Sequence, residues 1–365
     1  LLNWRTGCAE ASDLQPVVRE QSRAGAGAAH VCCEGAMCVS FQPTIPETHN
    51  NGCLTIGDLT ITADVRLDNR AELIAALGLE SKSAEGLGRS SSEDAQLVLK
   101  AYQKWGDACA DHLLGDFAFV IWDPRQQKLF CARDRMGAAP LCYVAKNDYF
   151  AFASEAESLL HLPGVSRKPN EKMIAHVLVP AFENRGDDRT WHSDVRALMP
   201  AHKMSVSRGV VSQPANYWSL RPGGEASYAS EGECLEHFEE TFEKAVRCRL
   251  RAPGNMALMM SGGLDSAGIA AMANRIFADI PGKKLYSYSA VDDDLESSVE
   301  SRAILSMAGS LNIAPKYVSV PSFSGIVNLE DARQAAWKHA HPVDNLLLLP
   351  AMMCLAGGRD GNRVM

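Results

Sequence analysis

Apolar and polar residues alternate with a period of two over much of the first half of the chain, the pattern of half-buried strands. Residues 53–56 and 59–63 show it on either side of Gly57-Asp58, a pair typical of a hairpin turn. Residues 117–132 and 141–152 show it again, each interrupted by a short polar turn. The alternation predicts three hairpins in this half.

Helical patterns lie between these strands. Residues 71–79 follow Asp68-Asn69, which can cap a helix, and residues 92–105 carry apolar side chains on one stripe before Gly106. The alternating residues 31–41 predict one further strand. Strands, then helices, then strands indicate a layered α+β domain with stacked sheets, which we assign to residues 1–220.

The pattern changes after Pro222-Gly223-Gly224, which opens a polar stretch typical of a domain boundary. An amphipathic helix is predicted over residues 233–250. Strand and helix patterns then alternate over residues 256–260, 266–277, 284–291, 298–311 and 317–320. This rhythm predicts parallel βαβ units, and therefore an α/β domain over residues 231–365 whose ligands bind at the carboxyl ends of the strands.

Composition agrees with two globular domains and narrows the functional classes. The chain has 365 residues, of which 46% are apolar and 22% charged, and its net charge is −8. An acidic chain makes a broad nucleic-acid surface improbable, and no apolar run is long enough to span a membrane. The eleven cysteines follow no metal-ligand spacing. Without a visible signal peptide, they predict reduced thiols in a cytoplasmic protein.

The run SGGLDS at residues 261–266, which we call the 261–266 loop, carries the strongest chemical signal. It joins a buried strand to a helix, an arrangement that points backbone N–H groups at one anion. No lysine closes it, so it is not a P-loop. It resembles the pyrophosphate-binding loop of enzymes that split ATP between its α and β phosphates. The alternative is a Gly-Gly turn with a serine helix cap.

Three segments of the first half, residues 114–123, 132–141 and 153–160, resemble motifs of the asparagine synthetase superfamily. With the 261–266 loop, the resemblance covers essentially the whole chain. It implies a class II glutamine amidotransferase-like (Ntn-type) sandwich followed by an ATP-pyrophosphatase domain of the adenine nucleotide α-hydrolase-like type. The charged residues of the second segment are expected to pair with each other, so we use them only as fold markers.

The resemblance also implies the ligands of the second domain. ATP and Mg²⁺ are the expected cofactors, with Asp265 holding the metal, Met259 beside the nucleoside and Ala290 at the adenine. The expected ATP-binding residues are Met259, Ser261, Gly262, Gly263, Leu264, Asp265, Ser266 and Ala290. The family's second metal-binding aspartate and its catalytic residues are expected beyond Met365, and Asp360-Gly361 is not a substitute for that aspartate. The acidic run 292–294 predicts a solvated loop, and residues 339, 341 and 344 show no metal-ligand spacing.

The first half departs from the family at its glutaminase residues. The family's N-terminal nucleophile would stand a few positions before Leu1, where this sequence offers no candidate cysteine, and residues 23–26 lack the family's proline and carboxylate. Asp64-Val65-Arg66 replaces an Asn-Gly-Glu segment whose amide donates to the oxyanion. An aspartate cannot donate there, and valine is expected to fill the space that glycine leaves. Asp94 alone matches the carboxylate that holds the glutamine amine, so the first domain is predicted to be catalytically silent.

Two branches of the family form amides without glutamine, the β-lactam synthetases and the lasso-peptide cyclases. Residues 66–73 resemble the cyclase branch most. The expected activity is therefore adenylation of an Asp or Glu side chain of a precursor peptide, followed by attack of its N-terminal amine. The expected partners are that precursor peptide, a leader-peptide-binding protein and a leader protease. The alternatives are a glutamine-hydrolysing asparagine synthetase, a β-lactam synthetase acting on a small β-amino acid, and a scaffold that binds without catalysis.

Overall fold

The computed structural model divides the chain into two compact units, the first ending at Pro222 and the second beginning at Gly223. The residues that it describes are 2–3, 10–23, 30–34, 37–41, 53–79, 91–179, 187–207, 209–224, 227–251, 256–278, 280, 285–291, 298–311, 313–319, 353, 357 and 360.

The first unit consists mainly of antiparallel strands. Its strands are β1 Leu2–Asn3, β2 His30–Glu34, β3 Met37–Phe41, β4 Leu54–Ile56, β5 Leu59–Leu67, β6 Gly115–Asp123, β7 Lys128–Arg133, β8 Cys142–Ala145, β9 Tyr149–Ala153, β10 Arg196–Ala197, β11 His202–Ser207, β12 Val210–Val211 and β13 Ala215–Asn216. Its α-helices are α1 Gln15–Arg23, α2 Arg70–Leu77, α3 Ser91–Trp105, α4 Ala156–Leu159 and α5 Glu171–Leu178. Two 3₁₀ helices span Ala11–Leu14 and Gly106–His112.

These strands form two sheets that pack face to face. One sheet has the order β10-β8-β9-β1-β3-β2, and the other has the order β12-β11-β7-β6-β5-β4 with β13 paired to β11. Apolar side chains from both sheets, among them Met37, Val120 and Phe150, share the core between them. Helices α2 and α3 cover the second sheet, and α1 and α4 cover the first. The predicted layered sandwich is therefore confirmed.

The three predicted hairpins are present as β4–β5, β6–β7 and β8–β9. The predicted single strand over residues 31–41 is wrong, because the chain turns back there and β2 pairs with β3. Cys33 lies opposite Cys38 in this pair and is joined to it as a disulfide, whereas reduced thiols were expected. The alternation could not show the turn, since a tight hairpin keeps the same period on both strands.

The second unit is built from α6 Glu231–Arg249, β14 Met256–Met259, α7 Leu264–Ala278, β15 Leu285–Val291, α8 Val299–Leu311 and β16 Ala314–Ser319. The Ser230 hydroxyl caps α6 by accepting from the N–H of Glu233 at 3.2 Å. Strands β14, β15 and β16 pair in parallel in that order. The predicted parallel βαβ units are confirmed, and the carboxyl ends of these strands meet at one edge of the sheet.

None of the helices among the described residues has the length and apolar character needed to cross a membrane.

Candidate active site

The 261–266 loop leaves the sheet at the carboxyl end of β14. The N–H of Met260 donates to the carbonyl oxygen of Tyr288 at 2.9 Å, which extends the β14–β15 ladder to the start of the loop. Helix α7 begins at Leu264, so the loop turns directly from the sheet edge into the first turn of a helix. Because a helix N-terminus presents unpaired N–H groups, this position favours an anion.

Two serine hydroxyls link the two ends of the loop. The Ser266 hydroxyl accepts from the N–H of Ser261 at 3.2 Å and lies 3.0 Å from the carbonyl oxygen of the same residue. The Ser261 hydroxyl accepts from the N–H of Gly263 at 3.3 Å and lies 3.0 Å from the Ser266 hydroxyl. The expected donors are thus brought together within the six residues.

The outer side of the loop is open. Leu264 is 90% exposed, and Asp265 is exposed in the first turn of α7. A methyl group placed on Gly263 would make only an ordinary contact, 3.4 Å from the Ser261 hydroxyl. Neither Gly262 nor Gly263 has a left-handed φ, so backbone strain does not require glycine at these positions. A side chain here would instead keep a neighbour or a ligand from approaching the backbone closely.

Met259 and Ala290 share one face of the parallel sheet. Met259 ends β14, is 39% exposed and lies opposite Tyr288 in the register. Ala290 lies two residues after Tyr288 in β15, so its side chain is on the same face, and it is half-buried. The two residues expected at the nucleoside and the adenine therefore lie on one face near the carboxyl edge.

The donor set fits ATP with Mg²⁺. Asp265 offers an exposed carboxylate next to serine hydroxyls and helix N–H groups, and Mg²⁺ is commonly held by one or two carboxylates together with substrate phosphates. No three His, Cys, Asp or Glu side chains converge as a metal cage anywhere in the described ranges. The site therefore suits a metal that arrives with the nucleotide.

Asp360 binds to the sheet through Tyr288. The Tyr288 hydroxyl donates to its carboxylate at 2.7 Å, and the Lys316 ammonium lies 3.6 Å away. The hydrogen bond from Tyr288, with Lys316 nearby, lowers the pKa of Asp360. Asp360 therefore contacts one side chain of β15 and one of β16, and these contacts do not point to a metal.

In the first unit, Asp94 lies in the first turn of α3 and is only 4% exposed. One carboxylate oxygen accepts from the N–H of Leu67 at 2.8 Å, and the other accepts from the Arg70 guanidinium. Arg70 also binds Glu93 at 2.9 Å. The carboxylate expected to receive the glutamine amine is thus engaged by a cation of the protein itself.

The replaced Asn-Gly-Glu segment lies in β5. Arg66 forms ion pairs with Asp116 at 2.7 Å and Asp68 at 3.3 Å. Desolvation by the surrounding protein raises the pKa of Asp64, and the charges of Asp116 and Asp134 raise it further, although the residue is exposed to solvent. Val65 is buried in the core under α2 and α3, on the opposite face of the strand from Asp64. The expectation that Val65 fills the space beside Asp64 is therefore wrong.

The charged fold-marker segment binds the backbone. The Arg133 guanidinium donates at 2.7 Å to each of three carbonyl oxygens, those of Ala139, Leu198 and Gly137. The buried Asp134 carboxylate accepts from backbone N–H groups, which are those of Phe117, Met136, Ala138 and Ala139. The two residues therefore hold the loop after β7 in place, whereas pairing with each other was expected.

Several sequence expectations fall outside the described ranges: the position of the family's nucleophile, which would precede Leu1, residues 24–26, the acidic run 292–294 and the polar residues 339, 341 and 344. Arg70 was missed by the sequence analysis. Its charge is visible in the sequence, but its partner Asp94 lies 24 residues further on, and no local pattern links the two.

Two family models match the chain in succession. A model for a glutamine amidotransferase domain matches residues 60–218, and a model for asparagine synthase matches residues 237–333. These matches contain β5, α3 and Asp94 in the first unit, and the 261–266 loop and α8 in the second.

Similar proteins are named as asparagine synthetases or as amidases. The chain is 27% identical over 237 residues to glutamine-hydrolyzing asparagine synthetase 3 of Bacillus subtilis (strain 168). The matched region is 64% of this chain and 35% of that protein. The chain is 31% identical over 187 residues to amidase chry2 of Gibberella zeae, which covers 51% of this chain and 27% of the amidase. The chain thus spans about a third of the length of these relatives.

A weaker similarity links the chain to a solved structure. Glutamine phosphoribosylpyrophosphate amidotransferase from B. subtilis, complexed with ADP and GMP, is 11% identical and covers 79% of this chain and 67% of its own, with a TM-score of 0.35.

Proposed function

We propose that the chain forms an amide bond at the expense of ATP, because a glutamine amidotransferase domain model and an asparagine synthase model match it in succession. The substrate carboxylate is activated by transfer of AMP, with release of pyrophosphate. An amine of the same molecule then attacks the activated carbonyl. The proposal makes the second unit the catalytic one and the first unit silent toward glutamine.

The observation that carries this proposal is the pairing of Asp94 with Arg70. By resemblance, a glutaminase of this family binds the glutamine amine through the carboxylate at this position. Here a buried guanidinium and the N–H of Leu67 already occupy both oxygens. Displacing Arg70 would leave a charge without its partner in a buried site, which typically costs several kcal/mol. The nitrogen is therefore proposed to come from the substrate.

The reaction needs two bond exchanges. In the first, a carboxylate oxygen of the substrate attacks the α-phosphorus of ATP, and the bond to the β-phosphate oxygen breaks. In the second, the amine nitrogen attacks the acyl carbon, the bond to the AMP oxygen breaks and the amine loses a proton. Net loss of one water from the substrate results. Holding amine and acyl group on one molecule makes the second exchange effectively unimolecular.

The residues of the 261–266 loop would bind the departing pyrophosphate. The Ser261 and Ser266 hydroxyls and the first N–H groups of α7 are donors for its oxygens, and Asp265 would hold Mg²⁺. When bound, Mg²⁺ neutralises charge on the leaving group. Met259 and Ala290 would border the nucleoside, since they share one face of the sheet beside the loop.

The proposed substrate is a lasso-type precursor peptide. Its N-terminal amine attacks an Asp or Glu side chain several residues further on, which closes a macrolactam ring. The resemblance of residues 66–73 to the cyclase branch supports this substrate, as does the engaged Asp94. Ring closure needs a free amine at the start of the core peptide. A leader protease and a leader-peptide-binding protein are therefore the proposed partners.

A second candidate is a glutamine-hydrolysing asparagine synthetase, which the name of the B. subtilis relative favours. Mass spectrometry and nucleotide analysis separate the two. The full-length protein is incubated with ATP, Mg²⁺ and either the core peptide, aspartate with glutamine, or a small β-amino acid. Loss of one water from the peptide with AMP and pyrophosphate supports the proposal. Asparagine with glutamate, a β-lactam, or ADP as the stoichiometric product would reject it.

A further inference from the structure

The first turn of α8 packs directly against the 261–266 loop. A methyl group placed on Gly262 would lie 3.0 Å from the Cβ of Ala303, 3.1 Å from the carbonyl oxygen of Glu300 and 3.3 Å from its Cγ. These distances are shorter than ordinary van der Waals contacts. Gly262 is thus needed for the close approach of α8, in addition to any approach of a phosphate.

This packing brings the Glu300 side chain to the loop. Its Cγ lies 3.3 Å from where a Cβ on Gly262 would be, and the carboxyl carbon is bonded directly to that Cγ. Glu300 is exposed, and Ser298 caps the helix beneath it by accepting from the N–H of Ser301 at 3.3 Å. The loop therefore has one acidic side chain on α7, Asp265, and a second on α8.

A carboxylate beside a phosphate site is unfavourable by itself. Two like charges a few ångströms apart repel each other, more strongly where water is excluded. A divalent cation between them reverses the sign, and Mg²⁺ commonly binds through one or two carboxylates and several waters. A favourable interaction with the helix N-terminus also accounts for a glutamate here, but that interaction is weak at an exposed site.

We propose that Glu300 is a positioning residue of the nucleotide site, whose carboxylate would, together with Asp265, favour the Mg²⁺ that accompanies ATP. The proposal rests on the proposed function, because it needs ATP at the 261–266 loop. Glu300 should then strengthen the binding of Mg·ATP and weaken the binding of ATP without metal.

Isothermal titration calorimetry on the full-length protein tests this sign change without any turnover. With saturating Mg²⁺, Glu300→Gln should weaken ATP binding about tenfold. The ATP affinity of Glu300→Asp should lie between those of Glu300→Gln and the wild type. In EDTA, Glu300→Gln should bind ATP as well as the wild type or up to about threefold tighter, because the repulsion is removed. A role in the packing of α8 alone would change both affinities in the same direction.

Glu231→Gln is the matched control, since Glu231 is exposed in the first turn of α6. It should change neither affinity. Equal Mg·ATP affinities of the wild type and Glu300→Gln would overturn the inference, and so would a loss that is the same in EDTA. If the wild type itself binds no ATP, the proposed function fails. If the wild type binds Mg·ATP and only the Glu300 effect is missing, the proposed function stands.

Discussion

The two units place an aspartate in the same local setting with opposite results. Asp94 and Asp265 each lie in the first turn of a 15-residue helix, α3 and α7. Asp94 is 4% exposed, and both its oxygens accept hydrogen bonds from Arg70 and the N–H of Leu67. Asp265 is exposed beside the serine hydroxyls of the 261–266 loop. The first carboxylate stabilises the fold, and the second is available to a ligand.

The difference shows that a helix-terminal aspartate does not determine its own role. Both carboxylates are favoured by the helix N-terminus. A partner far along the chain decides whether the carboxylate is used internally, and in the first unit that partner is Arg70 at the start of α2. The same substitution in the two aspartates should therefore have separable effects, one on turnover and one on stability.

Asp265→Asn should have the largest effect, a loss of turnover of at least about 1000-fold, since it removes a charged metal ligand at the phosphates. Its free energy of unfolding should stay within about 0.5 kcal/mol of the wild type, because the side chain is exposed. Pyrophosphate release and a urea denaturation curve measure the two quantities. Retained turnover at saturating ATP would show that Asp265 is not the metal ligand.

Asp94→Ala should reverse this profile. Removing Asp94 takes away the buried partner of Arg70 and leaves only the exposed-side contact with Glu93, which should lower the free energy of unfolding by about 3 kcal/mol. Nucleotide binding by the second unit should persist at temperatures where the protein stays folded. Glu93→Gln is the matched control, because Glu93 binds the same arginine from an exposed position and should cost less than about 1 kcal/mol. Urea denaturation at one pH compares the three proteins, and equal costs for the two variants would contradict the structural role of Asp94.

The parts of the fold that depend on local pattern were predictable from sequence. The β4–β5 hairpin follows from the alternation around Gly57-Asp58, and the parallel sheet follows from the regular succession of strands and helices. The 261–266 loop was identified because its six residues are contiguous. In each case the residues that set the structure are neighbours in sequence.

Features set by distant residues were missed. The turn between β2 and β3 is invisible in an alternation that continues through it. The amphipathic pattern over residues 233–250 predicted a buried face, yet Leu235 and Phe238 are 59% and 65% exposed, and the helix packs against the core only from Phe242 onward. The approach of α8 to Gly262 joins residues about forty positions apart, and periodicity within one helix carries no information on such a contact.

Gly262→Ala tests that contact and should have an intermediate effect. The added methyl group would lie 3.0 Å from the Cβ of Ala303 and 3.1 Å from a backbone oxygen, so α8 must move by a few tenths of an ångström. Such overpacking typically costs about 1 to 3 kcal/mol of the free energy of unfolding. Gly263→Ala, where the methyl group makes only an ordinary contact, is the control and should cost less. Chemical denaturation compares the two, and equal costs would show that α8 does not constrain the loop.

The smallest expected effect concerns Asp64 and runs opposite to the usual loss on mutation. Its pKa is raised by desolvation and by the charges of Asp116 and Asp134, so the folded protein binds this proton more tightly than the unfolded chain. Above the folded pKa the ionised carboxylate therefore lowers the free energy of unfolding, and this loss disappears as pH falls toward the unfolded value of about 3.9.

Asp64→Asn should accordingly raise the free energy of unfolding at pH 7, by no more than about 0.5 kcal/mol because Asp64 is exposed and water screens its charge. The gain should shrink as pH falls toward about 4. Asp194→Asn provides the opposite sign. Its pKa is lowered by a hydrogen bond from the Lys146 ammonium and by another from the N–H of Ser166, so this variant should be less stable at neutral pH. That deficit should fade only as pH falls through the lowered pKa. Urea denaturation at pH 7 and at about pH 4 measures the two differences, and a loss of stability in Asp64→Asn at pH 7 would show that the carboxylate is favourable where it lies.

Asp64→Asn also restores an amide at the position that the resemblance assigns to the oxyanion. Glutamate should still not be released from glutamine, because Arg70 continues to engage Asp94.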